Sequence, residues 1–182
     1  MRFFLRSIIS IRDYQLLVVL NMGSTVKYFE KNASQLPPEK GNYVLLFEIK
    51  KQVLVTIGSL GKQTFPVGHY VYVGSALGSG GIRARLSHHL KPSPKPHWHI
   101  DYLKPHINWL MVGWLVTCER LECVWTHKLI KDGASAPICR FGASDCKQKC
   151  PSHLLLLNLN QEKVFKNLGI QDFLAINLID FE

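Results

Sequence analysis

The stretch from Gly68 to Leu90, GHYVYVGSALGSGGIRARLSHHL, constrains this chain more than any other. It opens with His69-Tyr70-Val71-Tyr72-Val73, aromatic and β-branched with no breaker inside, and predicts a central strand. Small residues follow from Gly74 to Gly81. Ile82 to Leu90 then predicts a short helix, with Ile82, Leu86 and either His89 or Leu90 on one stripe. Arg83, Arg85, His88 and Lys91 crowd the same segment. A glycine-rich turn feeding a basic helix offers free backbone N–H groups, a helix N-terminus and guanidinium forks in one place, which is chemistry for holding a phosphate. The bland alternative is an ordinary strand-to-helix junction with a solvated basic face.

The rest of the chain suits one domain with tails. Residues 1–40 read as an N-terminal extension and linker. The first 21 are apolar with Arg2, Arg6 and Arg12 but lack a small-residue cleavage site, so the expectation is an upstream extension with Met22 as the natural start. KNASQLPPEK, residues 31–40, is polar and carries proline, as linkers do. Asn42–Ile49 and Val53–Ile57 are β-rich and predict a hairpin, with Gln63–Phe65 a further short strand. Pro92, Pro94 and Pro96 end the basic helix, and Pro96 suits the first position of another, His97–Leu103. INWLMVGWLVT predicts a buried strand, Glu119–Asp132 a helix closed by Gly133, Ile138–Phe141 a short strand and Gln161–Phe173 a last helix. This order predicts an α+β fold, a small mixed or antiparallel sheet flanked by helices.

Charge narrows the partners. Lysine and arginine number 22 against 13 acidic residues, a net charge of +9, so a polyanion is expected, nucleic acid before membrane. No run reaches the ~18–20 apolar residues of a membrane helix. Five cysteines, an odd set without a secretory context, point to a reducing compartment, the cytoplasm. Cys146, Cys150 and His153 offer two thiolates and an imidazole to a structural zinc ion, with Cys139 as the fourth ligand, although the spacing is not that of a usual zinc knuckle.

Tyr70 and Tyr72 share one face of their strand. Gly41-Asn42-Tyr43 and Tyr72-Val73-Gly74 resemble the two signatures of the GIY-YIG nuclease superfamily. In that superfamily the second signature leads into a helix with an arginine, matched by Arg85, and a Tyr or His one turn on, matched by His89. A later helix supplies a metal-holding glutamate, matched by Glu122 in Leu121-Glu122-Cys123-Val124-Trp125. GHYVYVGSA, HWHIDYL, Glu122-Cys123 and FGASDC followed by SHL together resemble a prokaryotic branch of unknown function, sometimes joined to DNA-repair enzymes. The resemblance covers Gly41 to about Leu157.

It implies a nuclease domain over residues 41–159, with 160–182 as a helical tail. The activity implied is Mg²⁺- or Mn²⁺-dependent endonucleolytic hydrolysis of DNA, in repair, by a protein expected to be a monomer. Tyr43, Tyr72, Arg85, His89 and Glu122 would be catalytic, with Glu122 holding the metal and one tyrosine acting as base, its pKa lowered by Arg85. Ser75, Arg83, His88, Lys91, His97 and His99 would contact nucleic acid. Gly74, Asp101, Ser144, Asp145 and His153 would support the site. His97, His99 and Asp101 also make a candidate metal triad if that segment is extended; as a helix only His97 and Asp101 are neighbours. The asparagine many members carry late in the domain has only Asp145 or Asn158 as a stand-in. That departure keeps open an inactive nucleic-acid-binding module of the same fold.

Overall fold

β1 (Gly41–Ile49) is buried along almost its whole length. Such a strand needs hydrogen-bond partners on both edges, so it must lie inside a sheet. In the computed structural model, which describes residues 36–158 and 161–176, β4 (Gly68–Ala76) pairs along one edge of β1, Tyr43 opposite Gly74 and Leu45 opposite Tyr72. β5 (Asn108–Val116) pairs along the other, with a register shift between Leu46 and Phe47. β6 (Leu154–Leu156) adds to β4 and β7 (Asp172–Ala175) to β5. The order is β6-β4-β1-β5-β7, antiparallel throughout, with β1 rather than β4 in the middle.

Side-chain alternation splits the strands between two layers. Tyr43, Leu45 and Phe47 face the same way as Tyr70 and Tyr72, toward α1 (Gly81–Leu90) and α2 (His99–Leu103). Val44, Leu46, Val71 and Val73 face the opposite way, toward α3 (Glu122–Lys131) and α4 (Gln161–Leu168). The fold is the expected α+β, an antiparallel sheet between helices. Among the described residues no helix is long and apolar enough to cross a membrane.

Several local expectations change. β2 (Val53–Ile57) pairs with β3 (Gly61–Phe65) in a separate two-stranded sheet, not with β1. Both edges of β1 are already taken, and β2 is buried only at alternate residues, which suits a hairpin laid on the core through Val55, Ile57 and Phe65. α2 begins at His99, not His97, because the Asp101 carboxylate accepts the backbone N–H groups of His97 and Trp98 and caps the helix there. α3 starts at Glu122, not Glu119, since Asn42 holds Glu119 and Leu121 by their backbones. Ile138–Phe141 is a turn rather than a strand; Arg140 adopts φ 62°, incompatible with extension. α4 stops at Leu168, where the Gly169 and Ile170 N–H groups bond back to Lys166 and Phe165, and the supposed helical tail supplies β7.

Residues 1–35 lie outside the described residues, and with them the expected extension over 1–21. The end of the linker is packed. Leu36 is fully buried, and the carbonyls of Pro37 and Glu39 accept the N–H groups of Arg83 and Ile82. Gly81 has φ +55° with the carbonyls of Pro38 and Glu39 crossing where a Cβ would stand, so only glycine fits. The first N–H groups of α1 are therefore satisfied by the chain itself. The expected backbone cradle for phosphate is absent at this helix start.

Candidate active site

Tyr43 is buried and its ring lies across β4 at Gly74: a Cβ there would fall 2.3 Å from the Tyr43 hydroxyl oxygen. A glycine opposite Tyr43 thus lets the phenol cross its neighbour strand. Tyr43 Oη reaches His89 Nε2 at 2.7 Å. His89 stands on the stripe of α1 that faces the sheet, with Ile82 and Leu86, and is fully buried. The Tyr72 ring meets the His89 ring edge-on, centroids 6.1 Å apart. His89 Nδ1 is buried without a hydrogen-bond partner. Burial, reinforced by the Lys104 charge, brings the His89 pKa down to about 3, so the imidazole is neutral at physiological pH.

Arg85 sits one turn before His89, its guanidinium carbon 4.3 Å from the Trp98 ring centroid in a cation–π stack. Glu122 opens α3 and is tied by Oε2 to Arg120 Nη1 at 2.8 Å. The charges of Arg85 and Glu122 both act on the two phenols. Burial is the larger influence and raises Tyr43 and Tyr72 well above the ordinary phenol range; Arg85 lowers them by less. The expectation that Arg85 makes either tyrosine a ready base is corrected: both are neutral phenols at pH 7.

An open cleft of about 170 Å³ lies beside this group, lined by Gly78, Ser79, Gly81, Arg85, His88 and Trp98. Two of its lining residues, His88 and Trp98, are held by Asp101. Burial alone would raise that carboxyl, but Lys104, the His97 and Trp98 N–H groups and His88 outweigh it and hold it far below the usual range. Lys104 Nζ is 2.7 Å from Asp101 Oδ1 and also donates to the carbonyls of His88 and Lys91, closing the C-terminus of α1.

The remaining predicted residues divide. His88 faces the cleft and bonds Asp101 at 3.3 Å. Ser75 lies 3.4 Å from Arg120 Nη1, and Lys91 and His97 are exposed. Arg83 donates its Nε to the Leu36 carbonyl, so that nitrogen serves the fold rather than a ligand. His99 Nδ1 accepts the Gly142 N–H, which takes it out of any triad with His97 and Asp101. Ser144 and Asp145 are exposed on the loop after Gly142, with Asp145 acting electrostatically on Tyr72. Asn158 binds the Gly133 carbonyl, at the far end of α3 from Glu122.

His153 lines a second cluster. The ligand atoms of Cys123, Cys146, Cys150 and His153 lie within 4.8 Å of one another. Cys139 is exposed and outside it, so the fourth member is Cys123, from the first turn of α3. Cys123 is not legible as a ligand in the sequence, since nothing in local spacing links it to residues beyond 140. Asn42 is not legible for another reason: in the sequence it is only the middle of a signature. Buried, it carries two hydrogen bonds that fix the approach to Glu122.

The family model of the domain of unknown function DUF123 matches residues 42–171. The chain belongs to that family. No curated protein and no solved structure matches it. The DUF123 match runs from β1 through α4 and stops just before β7, so it takes in every residue of both clusters.

Proposed function

We propose that this DUF123 protein is a GIY-YIG-type, metal-dependent endonuclease that hydrolyses DNA phosphodiester bonds, in repair, in the cytoplasm. The observation that carries the reading is the convergence of Tyr43, Tyr72, Arg85, His89 and Glu122, from four separate elements, with Arg85 lining an open cleft. The net charge of +9 suits a polyanionic partner, and five free thiols suit a reducing compartment.

Arg85 clamps the scissile phosphate, its plane held by Trp98. Tyr43 is a neutral phenol whose hydroxyl is held by the neutral His89 imidazole, so the pair orients the attacking water and does not store its proton. The attacking water oxygen forms its bond to phosphorus and releases its proton to solvent. The bond from phosphorus to the 3′ oxygen breaks, and that oxygen takes a proton from solvent. Glu122 fits Mg²⁺ or Mn²⁺ by its chemistry: one partly exposed carboxylate, the kind such ions use together with water and substrate phosphate. Bound there, the ion supplies charge neutralisation at the phosphate and at the departing oxygen.

A second reading, a nucleic-acid-binding module without activity, draws on the Arg120–Glu122 ion pair and the raised phenols. One assay separates the two. Labelled linear, nicked, branched and single-stranded DNA are incubated with Mg²⁺, Mn²⁺ or EDTA. The proposal expects metal-dependent cutting of at least one substrate, abolished in Glu122→Gln with DNA binding retained. Binding without cutting on every substrate would establish the module instead.

A further inference from the structure

Three of the five thiols are gathered where nothing in the proposed reaction uses them. Cys123 and Cys150 are buried, Cys146 is half-buried, and His153 closes the group. Buried free cysteines usually serve as small apolar fillers. Fillers have no reason to aim at one point, and these four side chains do. Cys123 Sγ is 3.3 Å from Cys146 Sγ and 4.0 Å from His153 Nε2, and all four ligand atoms fall within 4.8 Å of each other. A tetrahedral zinc ion with Zn–S near ~2.3 Å and Zn–N near ~2.0 Å requires ligand separations of roughly 3.5–3.8 Å. The cluster is about that size, and shifts of under about 1 Å at each ligand complete it.

The surroundings are those of a ligand set. His153 is fixed at its backbone, where its N–H donates to the Phe141 carbonyl and its carbonyl accepts the Val73 N–H. Cys118 and Cys139, the two cysteines outside the cluster, are exposed.

We infer that Cys123, Cys146, Cys150 and His153 form a structural zinc site that pins the first turn of α3 to the loop between Gly142 and His153. Three thiolates and one imidazole select a soft, tetrahedral ion over Mg²⁺, and four protein ligands leave no open position for chemistry. The ion holds the helix start that carries Glu122, one residue before Cys123. It also holds Gly142, which lies against the Tyr72 ring. This site does not rest on the nuclease reading.

The test is metal content. Full-length protein is purified under mild reductant without chelator, and bound metals are measured by mass spectrometry. One zinc per chain is expected in the wild type, in Cys139→Ser and in Cys118→Ser, with loss to background in Cys123→Ser and Cys146→Ser. Should those two fail to fold, wild-type protein stripped by chelator and titrated with Co²⁺ gives the independent readout. One equivalent should produce the visible bands of a tetrahedral thiolate site. Folded wild-type protein that neither carries zinc nor takes up Co²⁺ stoichiometrically would overturn the inference. So would iron in place of zinc, or a Cys123–Cys146 disulfide in the protein as isolated.

Discussion

The two faces of the sheet are built from the same strands and do different work. Under α3 and α4 the alternate residues Val44, Leu46, Val71 and Val73 meet Trp125, Leu129, Val164 and Phe165, an almost wholly apolar layer. Under α1 and α2 the intervening residues Leu45 and Phe47 join Phe65, Ile82, Leu86 and Phe141 in a second apolar cluster, and Tyr43, Tyr70, Tyr72, His89 and Asp101 set polar groups into it. Burying polar groups costs stability unless each is partnered. Tyr70 meets that requirement locally, donating to the Pro66 carbonyl at 2.7 Å. Tyr43 and His89 partner each other and leave His89 Nδ1 unmatched. Both faces bury apolar side chains; the α1–α2 face also holds Tyr43 and His89 in a dry, fixed geometry at an electrostatic cost.

Substitutions should separate the faces. The largest effect on stability is expected from the apolar side. Leu46 is fully buried there, so Leu46→Ala should cost about 3 kcal/mol in urea unfolding, with DNA cleavage per folded molecule unchanged. A cost under about 1 kcal/mol would mean that this layer is not the main support.

The tyrosine-bearing face should show itself next, through pH. His89 has a folded pKa of about 3 against about 6.5 when unfolded. The unfolded chain therefore binds the extra proton first, and the stability from the neutral imidazole, full above pH 6.5, is lost as pH falls toward 3. Between pH 7 and pH 5 this amounts to about 2 kcal/mol. His99, also lowered by burial, acts in the same direction, so His89→Gln should flatten the profile without abolishing it. An unchanged slope in that variant would show that His89 is not the neutral partner of Tyr43.

Legibility in the sequence followed the same division. Strands whose pattern is set by their own residues (β4 and β5) stood out, as did α1 with its stripe of Ile82, Leu86 and His89. The partner of β2 did not, because β1 is saturated only once β4 and β5 have claimed its edges. β7 was hidden in a continuing amphipathic pattern that backbone bonds at Gly169 and Ile170 interrupt. In the candidate site, Tyr43, Tyr72, Arg85, His89 and Glu122 were readable through a resemblance. Asn42, Trp98 and Cys123 were not, since each acts through a partner distant in sequence. The phosphate cradle was misread for a related reason: residues 37–39, taken as linker, occupy the N–H groups it needed.

The proposed phosphodiester-cleaving site is the tyrosine-bearing face, with Arg85 as its cation. Single-turnover DNA cleavage by wild-type and Arg85→Ala protein with Mg²⁺, with folding checked by circular dichroism, decides it. Removing the charge that meets the phosphate should slow cutting on the order of 10²–10³-fold in a protein that is otherwise intact. Cutting at the wild-type rate in folded Arg85→Ala would contradict the account and place the activity elsewhere on the chain.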